Sequence, residues 1–436
     1  MPAGLPARRV AGAIYSSIID ERHSLDAALD SSSGLPDYLV LDVRDRRFVH
    51  ALLATLLRRR GEIRHALGQL IEKPPGRRAG RLMPILEIAA AQILYMDVPD
   101  HAAVSLALEE IGADRDAKHF KGLANAVLRR LAREREAVLA GFDDPLVNLP
   151  DWLRESWIKA YGAETAQAIA EAQLFEPPLD LTVKHDAEGW AKRLGGIVLP
   201  TGSVRLVPSG RIEEMEGYGE GAWWVQDAAA ALPARLLGDV AGKRIADLCA
   251  APGGKTAMLA HAGAQVTAVD ISAERLKRLS DNLTRLKLSA EVVAADILAW
   301  EPAEKFDAVL LDAPCSSTGT IRRHPDIAST KRPEDVASLA ALQPRLIERA
   351  AGFLKPGGIL VYCTCSLQPE EGEAQFAAAL ERHALRPLPV ASGEVGGLSE
   401  AVAKDGTVRT LPSHLPHETR RLVGMDGFFI GRFQKS

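Results

Sequence analysis

The sequence predicts an α/β protein, with a doubly wound parallel sheet at its C-terminal end, an all-helical domain at its start and a small α+β segment between. Three observations predict this. From residue 244 onward, short apolar runs alternate with helical stretches, the pattern of a parallel sheet wrapped by helices. Before residue 140, apolar residues recur at helical spacing. The length, 436 residues, suits about three domains. The expected divisions are 1–142, 150–235 and 236–436.

Composition narrows the class. With 47% apolar and 25% charged residues, the chain reads as an ordinary soluble globular protein. No apolar run reaches the roughly 18 residues a membrane helix needs. Met1-Pro2-Ala3-Gly4-Leu5-Pro6-Ala7-Arg8-Arg9 lacks a hydrophobic signal core, so a cytoplasmic location is expected. The net charge of −4 is unevenly spread. Residues 1–140 carry 21 Lys/Arg against 18 Asp/Glu, a net of +3, which leaves −7 for the rest. A mildly basic first third suits a polyanionic partner.

In the first domain, Phe48, Val49, Leu52, Leu53, Leu56 and Leu57 form one apolar stripe. Arg44, Arg46, Arg47, Arg58, Arg59 and Arg60 bracket it. Pro84 opens a second helix, Val104 to Gly112 a third, and Leu123 to Leu131 a fourth that ends in Arg129, Arg130, Arg133 and Arg135. Arginines clustered at helix ends point to nucleic acid; a solvated helix face is the plain alternative. Residues 143–150 look like a linker. Beyond it, Trp152 to Ala172 is helical in pattern, Leu179 to Val183 strand-like and Gly217 to Trp224 turn-rich. Trp223 and Trp224 read as packing residues.

In the last domain, strands are expected at Arg244–Leu248, Gln265–Val269, Glu291–Ala295, Phe306–Leu311 and Ile359–Tyr362, with a closing strand in Gly427–Phe433. Helices are expected after Gly254, Ser272, Pro333 and Pro369. The first strand runs into Cys249-Ala250-Ala251-Pro252-Gly253-Gly254-Lys255. Glycine there lets backbone approach a ligand, and the next helix offers free amides. A phosphate loop is excluded, because position 249 is Cys where Gly is needed. Acids end strands two, three and four at Asp270, Asp296 and Asp312. Asp270 is spaced to hold ribose hydroxyls, so an adenosine-type cofactor is expected.

All four cysteines, Cys249, Cys315, Cys363 and Cys365, lie at or just past strand-like runs. Neither a disulfide scaffold nor zinc-type pairing is present, so no metal is expected. His414 and His417 read as a surface excursion.

At these residues the sequence resembles a known family. Asp247 to Lys255, Asp312-Ala313-Pro314-Cys315-Ser316, His324-Pro325-Asp326 and Tyr362-Cys363-Thr364-Cys365-Ser366 are similar to motifs of the S-adenosylmethionine-dependent RNA cytosine-C5 methyltransferases. Phe120 to Arg130 resembles the small helical RNA-binding factor NusB. With Asp426-Gly427-Phe428-Phe429, it narrows the resemblance to the bacterial RsmB (Sun/Fmu) branch. The resemblance implies a Rossmann-like class I methyltransferase domain behind a NusB-like domain, acting on 16S ribosomal RNA before or during small-subunit assembly. It implies S-adenosyl-L-methionine as cofactor, held by Cys249, Ala250, Ala251, Pro252, Gly253, Gly254, Lys255, Asp270, Arg275, Asp296 and Asp312. It implies Cys365 as nucleophile. A monomer is expected. Asp180-Leu181-Thr182-Val183-Lys184 departs from the family's Arg-Val-Asn-type segment.

The chemistry itself asks for two thiols. Cytosine C5 is a poor nucleophile until a thiolate adds at C6. The adding sulfur cannot also take the C5 proton, so a second basic group is needed, for which Cys315 is placed. Asp312 is placed to meet charge near N3 and O2. In DNA cytosine-C5 methyltransferases the Pro-Cys thiol attacks, which here would be Cys315; the Thr-Cys-Ser turn favours Cys365. Arg322, Arg323 and His324 are expected to guide the RNA strand. A DNA methyltransferase and a non-catalytic RNA-binding protein are the competing readings.

Overall fold

The computed structural model describes all residues except 1, 3, 31–33, 74, 77, 208 and 383; Met1 and Ala3, quoted above, lie outside the described residues. It forms two compact units: Met1–Leu174 with Ile321–Lys331, and Phe175–Thr320 with Arg332–Ser436. These do not follow the three divisions expected from sequence.

The first unit holds α1 (Leu5–Glu21), α2 (Leu25–Leu29), α3 (Pro36–Leu39), α4 (Val43–Arg58), α5 (Arg60–Leu70), α6 (Leu82–Tyr95), α7 (Asp100–Ala113), α8 (Lys121–Arg133), α9 (Arg135–Ala140), α10 (Asp151–Tyr161) and α11 (Ala163–Gln173). Asp42 caps α4 by accepting from Asp45 N at 2.7 Å, and the expected stripe Val49 to Leu57 faces the core. Helix α6 starts two residues before Pro84, because the missing amide falls where a helix has no partner for it. It is buried nearly all round. Its one acid, Glu87, accepts from Tyr15 Oη and lies 3.5 Å from Arg64. Buried Glu62 accepts from Tyr95 Oη at 2.6 Å and Asn148 Nδ2 at 3.0 Å.

The stretch expected as a linker is therefore docked. Leu146 and Leu149 are buried, and Asn148 exchanges hydrogen bonds with both the side chain and the amide of Glu62. The arginine cluster is also partly used inside the unit. Arg46 donates to Leu41 O, Arg58 to Arg322 O, Arg59 pairs with Glu62 and Arg60 donates to Tyr15 Oη. Arg44 and Arg47 are exposed.

The second unit begins with β1 (Leu179–Val183), α12 (Ala187–Leu194), β2 (Ile197–Val198), β3 (Val204–Leu206) and β4 (Trp223–Val225). These strands form an antiparallel sheet in the order β2-β3-β1-β4. Trp223 and Trp224 are buried, as packing residues should be. Asp180 of β1 makes a fully buried two-point pair with Arg205, both bonds 2.7 Å, and accepts from Ala228 N at 3.0 Å. The segment that departs from the family pattern thus does structural work.

Next come α13 (Ala228–Arg235), β5 (Arg244–Leu248), α14 (Gly254–His261), β6 (Gln265–Asp270), α15 (Ala273–Arg285), β7 (Glu291–Ala294) and β8 (Phe306–Asp312). The turn α16 (Ile327–Thr330) lies in the first unit. It is followed by α17 (Pro333–Phe353), β9 (Leu354–Thr364), α18 (Glu373–Arg382), β10 (Leu385–Pro387), β11 (Val408–Arg409) and β12 (Phe429–Lys435). The sheet order is β10-β12-β9-β8-β5-β6-β7, with β11 on β12. Strands β9 to β7 are parallel, whereas β12 and β10 add an antiparallel edge.

Successive residues of β8 feed opposite cores. Ala308 and Leu310 pack with Leu232 and Leu259, while Val309 and Leu311 pack with Ile347 and Phe353. That two-sided burial explains its continuous apolar run. Strand β9 starts five residues earlier than expected. Its Pro356-Gly357 stretch precedes the pairing with β12, which begins at Ile359, and falls where the register with β8 shifts between Phe306 and Ala308, so the proline sits at an irregularity of the ladder. The excursion at Thr407–Arg421 is more than a surface loop. It contributes β11, and Thr407, Thr410 and Leu415 are buried.

Candidate active site

The parallel strands align their C-terminal ends, where such sheets carry ligands. Leu248 of β5 stands beside Val269 of β6 and Leu311 of β8, and Asp312 stands beside Cys363 of β9. The turn after β5 reverses sharply. Cys249 takes φ 59° and Gly253 φ 99°, and the Ala251–Pro252 peptide is cis. A Cβ on Gly253 would lie 2.7 Å from Leu279 Cγ, so only glycine fits. Asp270 Oδ2 accepts from Ala251 N at 3.2 Å, Asp270 Oδ1 accepts from Ser272 N at 3.0 Å, and Arg275 donates to Ala251 O. The turn is thus held from β6 and α15.

Three acids surround it. The Cys249 thiol is pushed up by burial first, then by Asp312, Asp270 and Asp247. Asp247 is fully buried; it accepts from Thr256 Oγ1 at 2.6 Å, while its Oδ1 has no partner among the described residues. Burial raises its carboxyl to about 7, against the lowering effect of the Thr256 hydroxyl and Lys255.

This has a consequence for stability. Below about pH 4 both states hold the proton. Between there and about 7 the unfolded chain releases it and the folded chain does not, so stability falls with rising pH. Asp247→Asn should remove that fall. The stability difference between variant and wild type should shift by about 1.4 kcal/mol per pH unit in this window. Urea unfolding from pH 5 to 8 reads it; parallel profiles count against the buried carboxyl.

The two thiols meet. Cys315 Sγ lies 3.4 Å from Cys365 Sγ, and Cys365 Sγ lies 3.5 Å from Ser317 Oγ. Both cysteines are half-buried. Their acidities diverge. The hydrogen bond from Cys315 pulls Cys365 below the ordinary thiol value, against burial. The same bond, with burial, pushes Cys315 well above it. Within the pair the thiolate is favoured at Cys365 over Cys315, and the proton is held more tightly at Cys315.

Lys255 does not stand in solvent at the start of α14. It is buried, donates to Asp312 Oδ2 at 2.7 Å and sits 5.4 Å over the Phe428 ring. Burial alone would lower its pKa, but Asp312 leads a net rise. Cys363 places Sγ 3.5 Å from Asp312 Oδ1; burial keeps it a thiol.

The Cys315 turn is clamped by backbone. Gly319 N donates to Cys365 O at 3.0 Å, and Gly427 N to Gly319 O at 2.8 Å. A Cβ on Gly319 would lie 1.9 Å from Gly427 O, which explains the glycine in each motif. Beneath the thiols, buried Glu371 accepts from Ser316 N, Ser316 Oγ and Ser366 Oγ at 2.8, 2.5 and 2.6 Å. Sequence reading missed it; its signal was an acid-rich turn six residues past Cys365.

Other expected residues stand apart. Asp296 is exposed just past β7 and accepts from Leu298 N. Arg322, His324 and Asp326 belong to the helical unit. Arg322 is buried, His324 Nδ1 lies 3.1 Å from Asp26, and Asp326 accepts from Leu25 N at 3.1 Å. A strand-guiding role for Arg322 does not fit that burial. His414 Nδ1 accepts from Leu411 N and His417 Nδ1 from Thr419 N, so each serves its own turn. No group of three or more potential metal ligands occurs among the described residues, and none of their helices is long and apolar enough to cross a membrane.

The profile of the family described as 16S rRNA methyltransferase RsmB/F matches residues 234–434, and that of the NusB family residues 5–133. Ribosomal RNA small subunit methyltransferase B of Serratia proteamaculans is 37% identical over 394 residues, covering 86% of this chain and 90% of that one. The chain belongs to the RsmB/F family. A protein of the same description from Xylella fastidiosa is 35% identical, covering 100% of this chain and 99% of its own. The crystal structure of PH0851 superposes with TM-score 0.71 at 22% identity, over 100% of this chain and 99% of that one; it shares the fold. RsmB/F membership makes the chain an S-adenosylmethionine-dependent RNA methyltransferase.

Proposed function

We propose that the protein transfers a methyl group from S-adenosyl-L-methionine to C5 of a cytosine in 16S ribosomal RNA, through a covalent bond between Cys365 and C6. The observation that carries this reading is the 3.4 Å contact between two thiols of opposite acidity. The relatives' description as small-subunit ribosomal RNA methyltransferases supports the substrate class.

The residues around the β5 turn fit the donor. Gly253 keeps the turn open to close approach. Asp247 Oδ1 is buried without a partner among the described residues, and the three carboxylates suit a molecule carrying positive sulfur and nitrogen. When bound, the donor supplies an electrophilic methyl group on a sulfonium. Cys249 to Lys255, Asp270 and Arg275 hold or shape that site.

The chain's own groups do the rest. Cys365, the more acidic sulfur, adds to C6. Asp312 holds the Lys255 ammonium at 2.7 Å, and that positive charge offsets the negative charge that develops at the ring edge near N3 and O2. C5, now electron-rich, takes the methyl group. Once Cys365 is bonded to C6 it no longer holds the Cys315 proton as a thiolate would; Cys315 then releases that proton to solvent, takes the C5 proton as a thiolate, and the C6–S bond breaks. One proton leaves per turnover. The target base must be unstacked, at a cost of a few kcal/mol that is least in a loop.

The test uses tritiated methyl donor with 16S ribosomal RNA and, separately, double-stranded DNA, followed by nucleoside analysis. Label recovered as 5-methylcytidine from the RNA alone is expected. Label in DNA, at another position of the RNA, or in neither overturns the assignment.

A further inference from the structure

We infer that the Glu371 carboxylate sets the separation of the two thiols, making it a positioning residue for the reaction. The inference rests on the proposed roles of Cys365 and Cys315.

The geometry is specific. Ser316 follows Cys315 and Ser366 follows Cys365 in the chain. Their hydroxyls lie 3.1 Å apart and both donate to Glu371 Oε2, while Ser316 N donates to Oε1. One buried carboxylate thus holds the residue behind each sulfur. It is itself fixed. The Glu371 carbonyl accepts from Tyr362 Oη at 2.7 Å and Thr364 Oγ1 at 3.2 Å on β9. Gln343 of α17 approaches Oε1 at 3.5 Å and donates to Pro314 O at 3.0 Å. Bonds to a charged acceptor are short and directional, so the carboxylate transmits β9's position to the Cys315 turn. An apolar side chain could fill the space but could not register two turns 50 residues apart.

A carboxylate suits this place better than an amide. Both oxygens accept; an amide that kept its oxygen toward Ser316 N–H would turn its N–H groups toward the two hydroxyls, reversing those bonds and leaving them without the help of a full charge. The Glu371 charge also adds to the forces that keep Cys315 protonated. Glu371 bonds neither sulfur, so it acts through geometry. The titratable groups facing Cys365 are Cys315, Asp312, Lys255 and Cys363, and Cys315 depends on the distance that Glu371 holds.

The readout is the pH profile of Cys365 alkylation by iodoacetamide, followed by mass spectrometry on the full chain without donor or RNA. Glu371→Gln should shift that profile upward by about one pH unit. It should also lower kcat at least about tenfold, with KM for the donor within about twofold. Glu371→Asp keeps the charge but retracts it by a methylene, and should not restore the profile. Thermal unfolding identifies a variant that does not fold. In that case the double change Ser316→Ala and Ser366→Ala, which leaves the carboxylate in place, should give the same shift. An unchanged profile in a folded variant, or rescue by Glu371→Asp, overturns the inference. Alkylation needs no turnover, so these results stand apart from the functional reading. That reading fails if Cys365→Ala still methylates, whatever the profile does.

Discussion

Cys365→Ala is expected to abolish methyl transfer, lowering it by a factor on the order of 10⁴ or more, and to form no covalent complex with RNA. The size follows from the sulfur's position. Cys365 is the one thiol whose acidity is enhanced, because Cys315 donates to it from 3.4 Å and Ser317 stands 3.5 Å away. Without it, Cys315 would have to attack, yet its pKa is raised by that same partner and by burial. Cys363 is fully buried and held as a thiol. Tritium transfer to 16S ribosomal RNA measures the loss. Residual activity above about 1% of wild type would show that a different sulfur attacks, as in the DNA enzymes.

Cys315→Ala gives the opposite trace. The first half of the reaction proceeds and the second stalls, so an RNA–protein adduct persists through denaturing gel electrophoresis. Turnover falls by roughly 10²–10⁴-fold, the usual worth of a positioned acid–base group. The adduct should also form more slowly than in wild type, because Cys365 loses the hydrogen bond that favours its thiolate. If Cys315→Ala instead gives no adduct and Cys365→Ala traps one, the two sulfurs exchange roles.

Much of the catalytic unit was legible because its signals are local. Strands β1 and β5 fall on the residues expected, and β8 extends one further. A strand buried on both faces must be apolar throughout, and glycine must sit where a Cβ would strike Leu279. What escaped depends on the meeting of distant residues. Lys255 was expected at the cofactor turn, but nothing local says that Asp312, 57 positions away, comes within 2.7 Å of it. Residues 143–150 looked like a linker, since nothing local says that Asn148 reaches Glu62 across 86 positions. Glu371 was overlooked for the same reason. An acid in a short turn carries no mark of the two serines that converge on it.

The eleven residues Ile321–Lys331 carry a practical lesson for anyone dissecting this protein. The polypeptide leaves the sheet-bearing unit just past the Cys315 turn, joins the helical one, and returns before α17. There Arg22 holds Thr330 O, Leu25 N holds Asp326, Asp26 meets His324, and Arg58 holds the Arg322 carbonyl. A gene fragment beginning at Phe175 would therefore encode an amputated object rather than a free-standing enzyme. One cut separates the genes but not the bodies; the backbone passes between them three times.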